Sequence, residues 1–158
     1  MKIIGIDPGL VQTGFGIINV KDNQVSLIDY GIIKPAPRDA LSNRLLAIFI
    51  DVCEILSNYN PQVFAIEDVF YGKNVKSALL LGHSRGIPLL LSAKFKLSLH
   101  EFSARRIKQS LTGNGNASKE QVQFMVKKLL LLDQSPNPTD ASDALAAAIC
   151  YNQNFKIW

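Results

Sequence analysis

Lys2-Ile3-Ile4-Gly5-Ile6-Asp7-Pro8-Gly9 reads as a β-strand of branched apolar residues that ends on a carboxylate and stops at a Pro-Gly turn. A second stretch, Val63-Phe64-Ala65-Ile66-Glu67, repeats the pattern: a short, nearly continuous apolar strand ending on an acid. Such a run suits the interior of a sheet covered on both faces. Open α/β sheets place their ligands at the C-terminal ends of the strands. An acid at that position is costly unless paired or coordinated, so Asp7 and Glu67 are site candidates, the alternative being that each caps a turn.

Working outward, Gly14–Val20 and Val25–Lys34 read as two further strands around Lys21-Asp22-Asn23-Gln24, giving a three-stranded meander with the first. After a loop at 35–39, apolar residues recur in helical period from Leu41 to Tyr59, and Pro61 stops that helix. Val75–Lys94 is helix-like, with a break or kink expected at Gly82, Gly86 and Pro88. Leu97–Phe102 reads as a fifth strand, and Ser103 as the N-cap of a short helix to Thr112. Gly113–Asn116 is a turn, from Ser118 an amphipathic helix follows, and Thr139 is expected to cap a last helix from Asp140 to about Tyr151. The order βββαβαβααα predicts an α/β fold, a mixed sheet with flanking helices, in one domain over 1–158.

Composition narrows the function. A chain of 158 residues with 47% hydrophobic and 19% charged residues can bury roughly 70% of its unfolded surface, which excludes disordered and fibrous classes. The longest apolar run, Ala144–Tyr151, falls far short of the ~18 to 20 residues that span a bilayer, so no membrane partner and a cytoplasmic location are expected. Cys53 and Cys150 have no neighbouring ligands and read as small hydrophobes. The net charge of +4 is unevenly spread. Lys73–Lys128 holds eleven basic residues against Glu101 and Glu120, a local +9, and the rest of the chain carries −5. A basic middle beside acidic ends points to a polyanion bound next to a carboxylate site, with scattered solvated lysines as the alternative.

Asp140 and Asp143 stand three apart at the start of the last helix and share a face. Acids are at home at a helix N-terminus, but Ala141, Ala144, Ala146, Ala147 and Ala148 make this helix thin enough to pack on the sheet and turn both aspartates inward. Four clustered carboxylates repel unless a cation neutralises them, and hard oxygen donors without Cys or His suit Mg²⁺ or Mn²⁺. Two such ions support in-line displacement at phosphorus, so metal-assisted phosphodiester hydrolysis is the leading expectation.

Six pieces in order, GIDPG at 5–9, TGFG at 13–16, AIEDVFYGKN at 65–74, SALLLGHSRG at 77–86, RRIKQSLTGNGNASKEQV at 105–122 and DASDALA at 140–146, resemble the RuvC family of Holliday-junction resolvases. GIDPG alone also resembles the first phosphate loop of actin-like ATPases and sugar kinases, but 158 residues leave no room for their second lobe. The resemblance implies a ribonuclease-H-like fold with a five-stranded mixed sheet. It also implies a homodimer that nicks four-way DNA junctions symmetrically with Mg²⁺ in recombination and repair, and a RuvAB-type branch-migration motor as a partner. Asp7, Glu67, Asp140 and Asp143 match the family's metal-binding catalytic positions, Lys108 and Lys119 its basic residues near the scissile phosphate, and Phe70 its aromatic beside the crossover. Lys73, Lys76, Arg85 and Arg105 are expected to track phosphates. The helix at 75–94, through Ala78, Leu79, Leu81 and Leu90, is the expected dimer face. His83 and His100 read as structural or DNA-facing, Gly113 and Gly115 as turn residues, and Asp68 as pointing to the sheet face opposite Glu67. The alternatives are a junction-binding module without catalysis, or a nuclease acting on RNA or RNA/DNA hybrid.

Overall fold

A computed structural model describes residues 1–68 and 74–155. Its elements are β1 (Lys2–Asp7), β2 (Thr13–Lys21), β3 (Gln24–Ile33), α1 (Leu41–Tyr59), β4 (Val63–Asp68), α2 (Val75–Lys94), β5 (Ser98–Ser103), α3 (Ala104–Thr112), α4 (Lys119–Leu129) and α5 (Thr139–Asn154), in the expected order. The five strands form one sheet, β3-β2-β1-β4-β5. The meander β1 to β3 is antiparallel, whereas β4 lies parallel to both β1 and β5, so the sheet is mixed.

Strand alternation divides the core into two layers. Ile4 and Ile6 of β1, Ile17 of β2, and Phe64 and Ile66 of β4 face α1 and α2, where Ile48, Val52, Leu56, Ile87 and Leu91 cover them. The opposite face carries Ile3, Ile18, Val63 and Ala65 and is covered by α3, α4 and α5. On that second face glycine decides how close a helix comes. A Cβ on Gly5 would lie 1.9 Å from the Ala144 carbonyl oxygen, and one on Gly14 would lie 2.1 Å from the Asp140 carbonyl oxygen. Helix α5 therefore rests almost backbone to backbone on β1 and β2. Its apolar run Ala144–Tyr151 is buried all round, which explains why that stretch lacks a polar face.

Two details differ from expectation. Helix α2 runs as a single element through Gly82, Gly86 and Pro88. Ile87, Pro88, Leu91 and Ser92 are buried along one face, and this packing outweighs the hydrogen bond that proline removes. Gly82 and Gly86 have nothing within 4 Å of where a Cβ would stand, and they belong to its outer surface. At α5, Thr139 is the first helical residue and not the cap. Pro138 takes the capping position with extended backbone and no side-chain bond, and Asp140 supplies negative charge to the first turn. Ser103 caps α3 as expected, its hydroxyl accepting from the Arg106 N–H at 3.2 Å.

Candidate active site

The sheet register assembles the acids. Ile6 pairs with Ile66 across parallel strands, so Asp7, the last residue of β1, and Glu67, the last but one of β4, stand at one level. Asp7 stands two residues beyond Gly5 and shares its face, the one α5 covers. Its partner on β2 is Gly14, against which the Asp140 backbone lies. The bare glycine surface thus brings the first turns of α5 up to the end of β1. Carboxylate oxygens from Asp7, Asp140 and Asp143 all lie within 4.8 Å of one another.

The electrostatics follow from this crowding. Burial first, then the charges of Asp143, Asp140 and Glu67, push the Asp7 carboxyl up from 3.8 to about 7. The Glu67 carboxyl is also raised, by burial and then by Asp143, while Lys119 and Lys108 oppose the shift. Lys119 Nζ stands 3.2 Å from Asp143 Oδ2 and is held in its charged form chiefly by that carboxylate. Its side chain is 69% exposed, whereas that of Asp143 is 17% exposed, so the lysine reaches in from the rim. A cleft of about 730 Å³ opens over the cluster, lined by Asp7, Glu67 and Asp143 on its floor side and by Arg105, Lys108 and Lys119 among its basic residues.

Local structure fixes these positions. The turn after β1 is pinned by Thr13, whose hydroxyl donates to the Gly9 carbonyl at 2.7 Å, and by Arg44 of α1, which donates to the Leu10 carbonyl at 2.6 Å. Ser118 and Gln121 form a reciprocal capping box that starts α4 and sets Lys119 in its first turn. The turn between α3 and α4 uses Gly113 at φ 75°. Its N–H groups are taken up internally: those of Asn114, Gly115, Asn116 and Ser118 donate to side chains of Thr112, Gln109, Asn114 and Gln121. The glycines serve the turn, and the loop presents no cradle of free N–H groups for a phosphate.

The structure separates the remaining candidates. Arg105 and Lys76 are exposed, Arg105 beside the cleft and Lys76 in the first turn of α2. Arg85 is not a free phosphate-tracking cation. Its guanidinium is paired with Asp68 and Glu101 and donates to the Glu67 carbonyl oxygen, and its side chain is only 13% exposed. Asp68 thereby lies on the face away from α5, as alternation requires. Phe70 and Lys73 lie outside the described residues. His100 is half-buried and packs against Tyr151 and Phe155, with ring centroids 4.6 and 4.7 Å away, and its partial burial lowers its pKa; His83 is exposed. The pairing of Arg85 with Glu101 was invisible in sequence, because nothing in either segment marks two side chains sixteen residues apart as partners.

An all-oxygen donor set without Cys or His fits a hard divalent cation, and the burial and mutual repulsion that together drive Asp7 toward protonation are what a cation would offset. Comparison with known proteins agrees with this arrangement. A family model described as crossover junction endodeoxyribonuclease RuvC matches residues 3–151. A crossover junction endodeoxyribonuclease RuvC of Caldicellulosiruptor saccharolyticus is 44% identical over 152 residues, 96% of this chain and 92% of the relative. That of Legionella pneumophila subsp. pneumophila is 45% identical over 150 residues, 95% and 86% of the two chains. The solved structure of Thermus thermophilus RuvC in complex with Holliday junction substrate superimposes with a TM-score of 0.92 at 30% identity, covering 98% of this chain and 94% of that one. The match takes in both acidic strand ends and the acidic turn of α5, and the chain belongs to the RuvC family of crossover junction endodeoxyribonucleases.

Proposed function

We propose that this protein is a divalent-metal-dependent endonuclease that resolves four-way DNA junctions. The observation that carries the reading is the convergence of Asp7, Asp140 and Asp143 within 4.8 Å, with Glu67 level on the neighbouring strand. Asp7, Asp140 and Asp143 would hold Mg²⁺, with Mn²⁺ as substitute, and Glu67 would complete a two-ion site. When bound, the ions supply Lewis-acid neutralisation of the phosphate and activation of the attacking water. Lys108 and Lys119 project into the cleft beside the acids and offset the charge of the scissile phosphodiester. A phosphate at this position would compete with Asp143 for the Lys119 ammonium. Arg105 and Lys76, with Phe70 and Lys73, extend the contact to the junction arms and crossover.

Residues 1–158 act as one nuclease domain in a cytoplasmic homodimer. Among the described residues no helix is long and apolar enough to cross a membrane. Support for the dimer comes from α2, whose Val75, Leu79 and Leu90 are exposed and, with Gly82 and Gly86, follow helical spacing along an outer stripe where a second helix can approach closely. A two-fold dimer presents two equivalent sites to two equivalent strands and so makes paired nicks. A RuvAB-type motor is the partner that would deliver junctions by branch migration. The test is a panel of four-way junction, linear duplex, single strand and RNA/DNA hybrid, each with and without Mg²⁺. Junction-selective, Mg²⁺-dependent paired nicking is expected, and equal cutting of linear duplex would refute the reading.

A further inference from the structure

We infer that Arg85 is a positioning residue for Glu67, acting from the opposite face of the sheet. Its Nη1 donates to the main-chain carbonyl of Glu67 at 2.7 Å, and its Nη2 is held by Asp68 Oδ1 at 3.2 Å and by Glu101 Oε2. Glu67 and Asp68 are the last two residues of β4, Glu101 is on β5, and Arg85 lies midway along α2, so one guanidinium ties three elements at the edge where the acids stand. The Glu67 side chain reaches through to the other face, toward Asp143 and Lys108. On the β1 side the ladder ends at Ile66, so beyond it β4 is held only by its pairing with β5 and by this guanidinium, and rotation of the 67–68 peptide would swing the carboxylate. Arginine's planar fork holds the carbonyl with one nitrogen while the other is anchored by two acids, an arrangement a lysine's single nitrogen cannot reproduce.

The inference rests on the reading of Glu67 as a catalytic carboxylate, and the test separates the two. Single-turnover cleavage of a saturating four-way junction with Mg²⁺ is compared for the parent, Arg85→Met, Arg85→Lys, the pair Asp68→Asn with Glu101→Gln, and Glu67→Gln. All are assayed at one temperature, about 15 °C below the lowest melting midpoint among them, so that only folded protein is compared. Arg85→Met is expected to lose about 10- to 100-fold in cleavage rate, with Arg85→Lys in between and junction affinity within about two-fold of the parent. Amide hydrogen exchange in a peptide covering 66–68 should quicken in Arg85→Met while peptides from α5 keep their protection. Cleavage within about two-fold of the parent would overturn the inference. So would a loss confined to affinity with a shallower salt dependence, the signature of a phosphate contact. If Arg85→Met does not fold, Arg85→Lys and the double variant decide by the same rates. Normal cleavage by Glu67→Gln would instead remove the catalytic reading of Glu67 and the inference with it.

Discussion

The two faces of this sheet are built from the same strands by opposite means. Toward α1 and α2, β1 presents Ile4 and Ile6, and a layer of large aliphatic side chains separates helix from strand. Toward α5, β1 presents Gly5 and Asp7, and helix and strand touch almost through their backbones. The first face gains stability from apolar area, at roughly 25 cal/mol per Å² removed from water. The second gives up side-chain area at the glycines, and in return the N-terminal turns of α5 reach the strand ends, where Asp140 and Asp143 meet Asp7. A thick layer stabilises the fold, and a thin one brings acids together that would otherwise stand apart.

The largest effect is expected at the thin face's chemistry. Asp7→Asn removes the innermost acid of the cluster and should abolish junction nicking, measured by gel assay in Mg²⁺, while leaving junction binding intact. Next, the faces should answer oppositely to changes in volume. Gly5→Val drives a side chain into the Ala144 carbonyl and should cost about 3 kcal/mol or more, since neither backbone can yield cheaply. Ile66→Ala, buried on the other face, should cost about 2 to 5 kcal/mol through the cavity it leaves. Urea denaturation reads both, and tolerance of valine at position 5 would break the comparison.

A smaller effect concerns pH. The folded Asp7 carboxyl is raised from 3.8 to about 7, so the folded state binds its proton more tightly than the unfolded chain does. Its contribution to stability is therefore full below about pH 4 and is lost as pH rises through 7, because ionisation in the crowded site disfavours the fold. In EDTA the melting temperature should fall over that window once other groups are subtracted using Asp7→Asn, and Mg²⁺ should reverse the fall. Smallest is Tyr59→Phe. It removes a 2.6 Å hydrogen bond to Asp29 that joins α1 to β3, and should cost about 1 kcal/mol with no change in cleavage.

Much of this was legible in the residues. Apolar strands that end on Asp7 and Glu67, and an alanine-rich helix that opens on two aspartates, carry their placement in their pattern, since period and strand ends are local properties. The glycines at 5, 14 and 16 were less transparent: only the register β1 to β2 shows that they form one surface beneath α5. Helix α2 looked broken because glycine and proline weaken a helix in isolation, whereas burial of Ile87 and Leu91 holds it together here. Arg85 read as a phosphate contact because it falls within the basic stretch from Lys73 to Lys128. Its true partners come from β4 and β5, which only the folded topology brings together.

The most direct test of the site is a single substitution, Glu67→Gln, assayed for junction binding and for nicking in the same preparation with Mg²⁺. It keeps the shape of the side chain and removes its charge. The account predicts a folded protein that binds four-way junctions as the parent does and does not nick them. Nicking at the parental rate would contradict it.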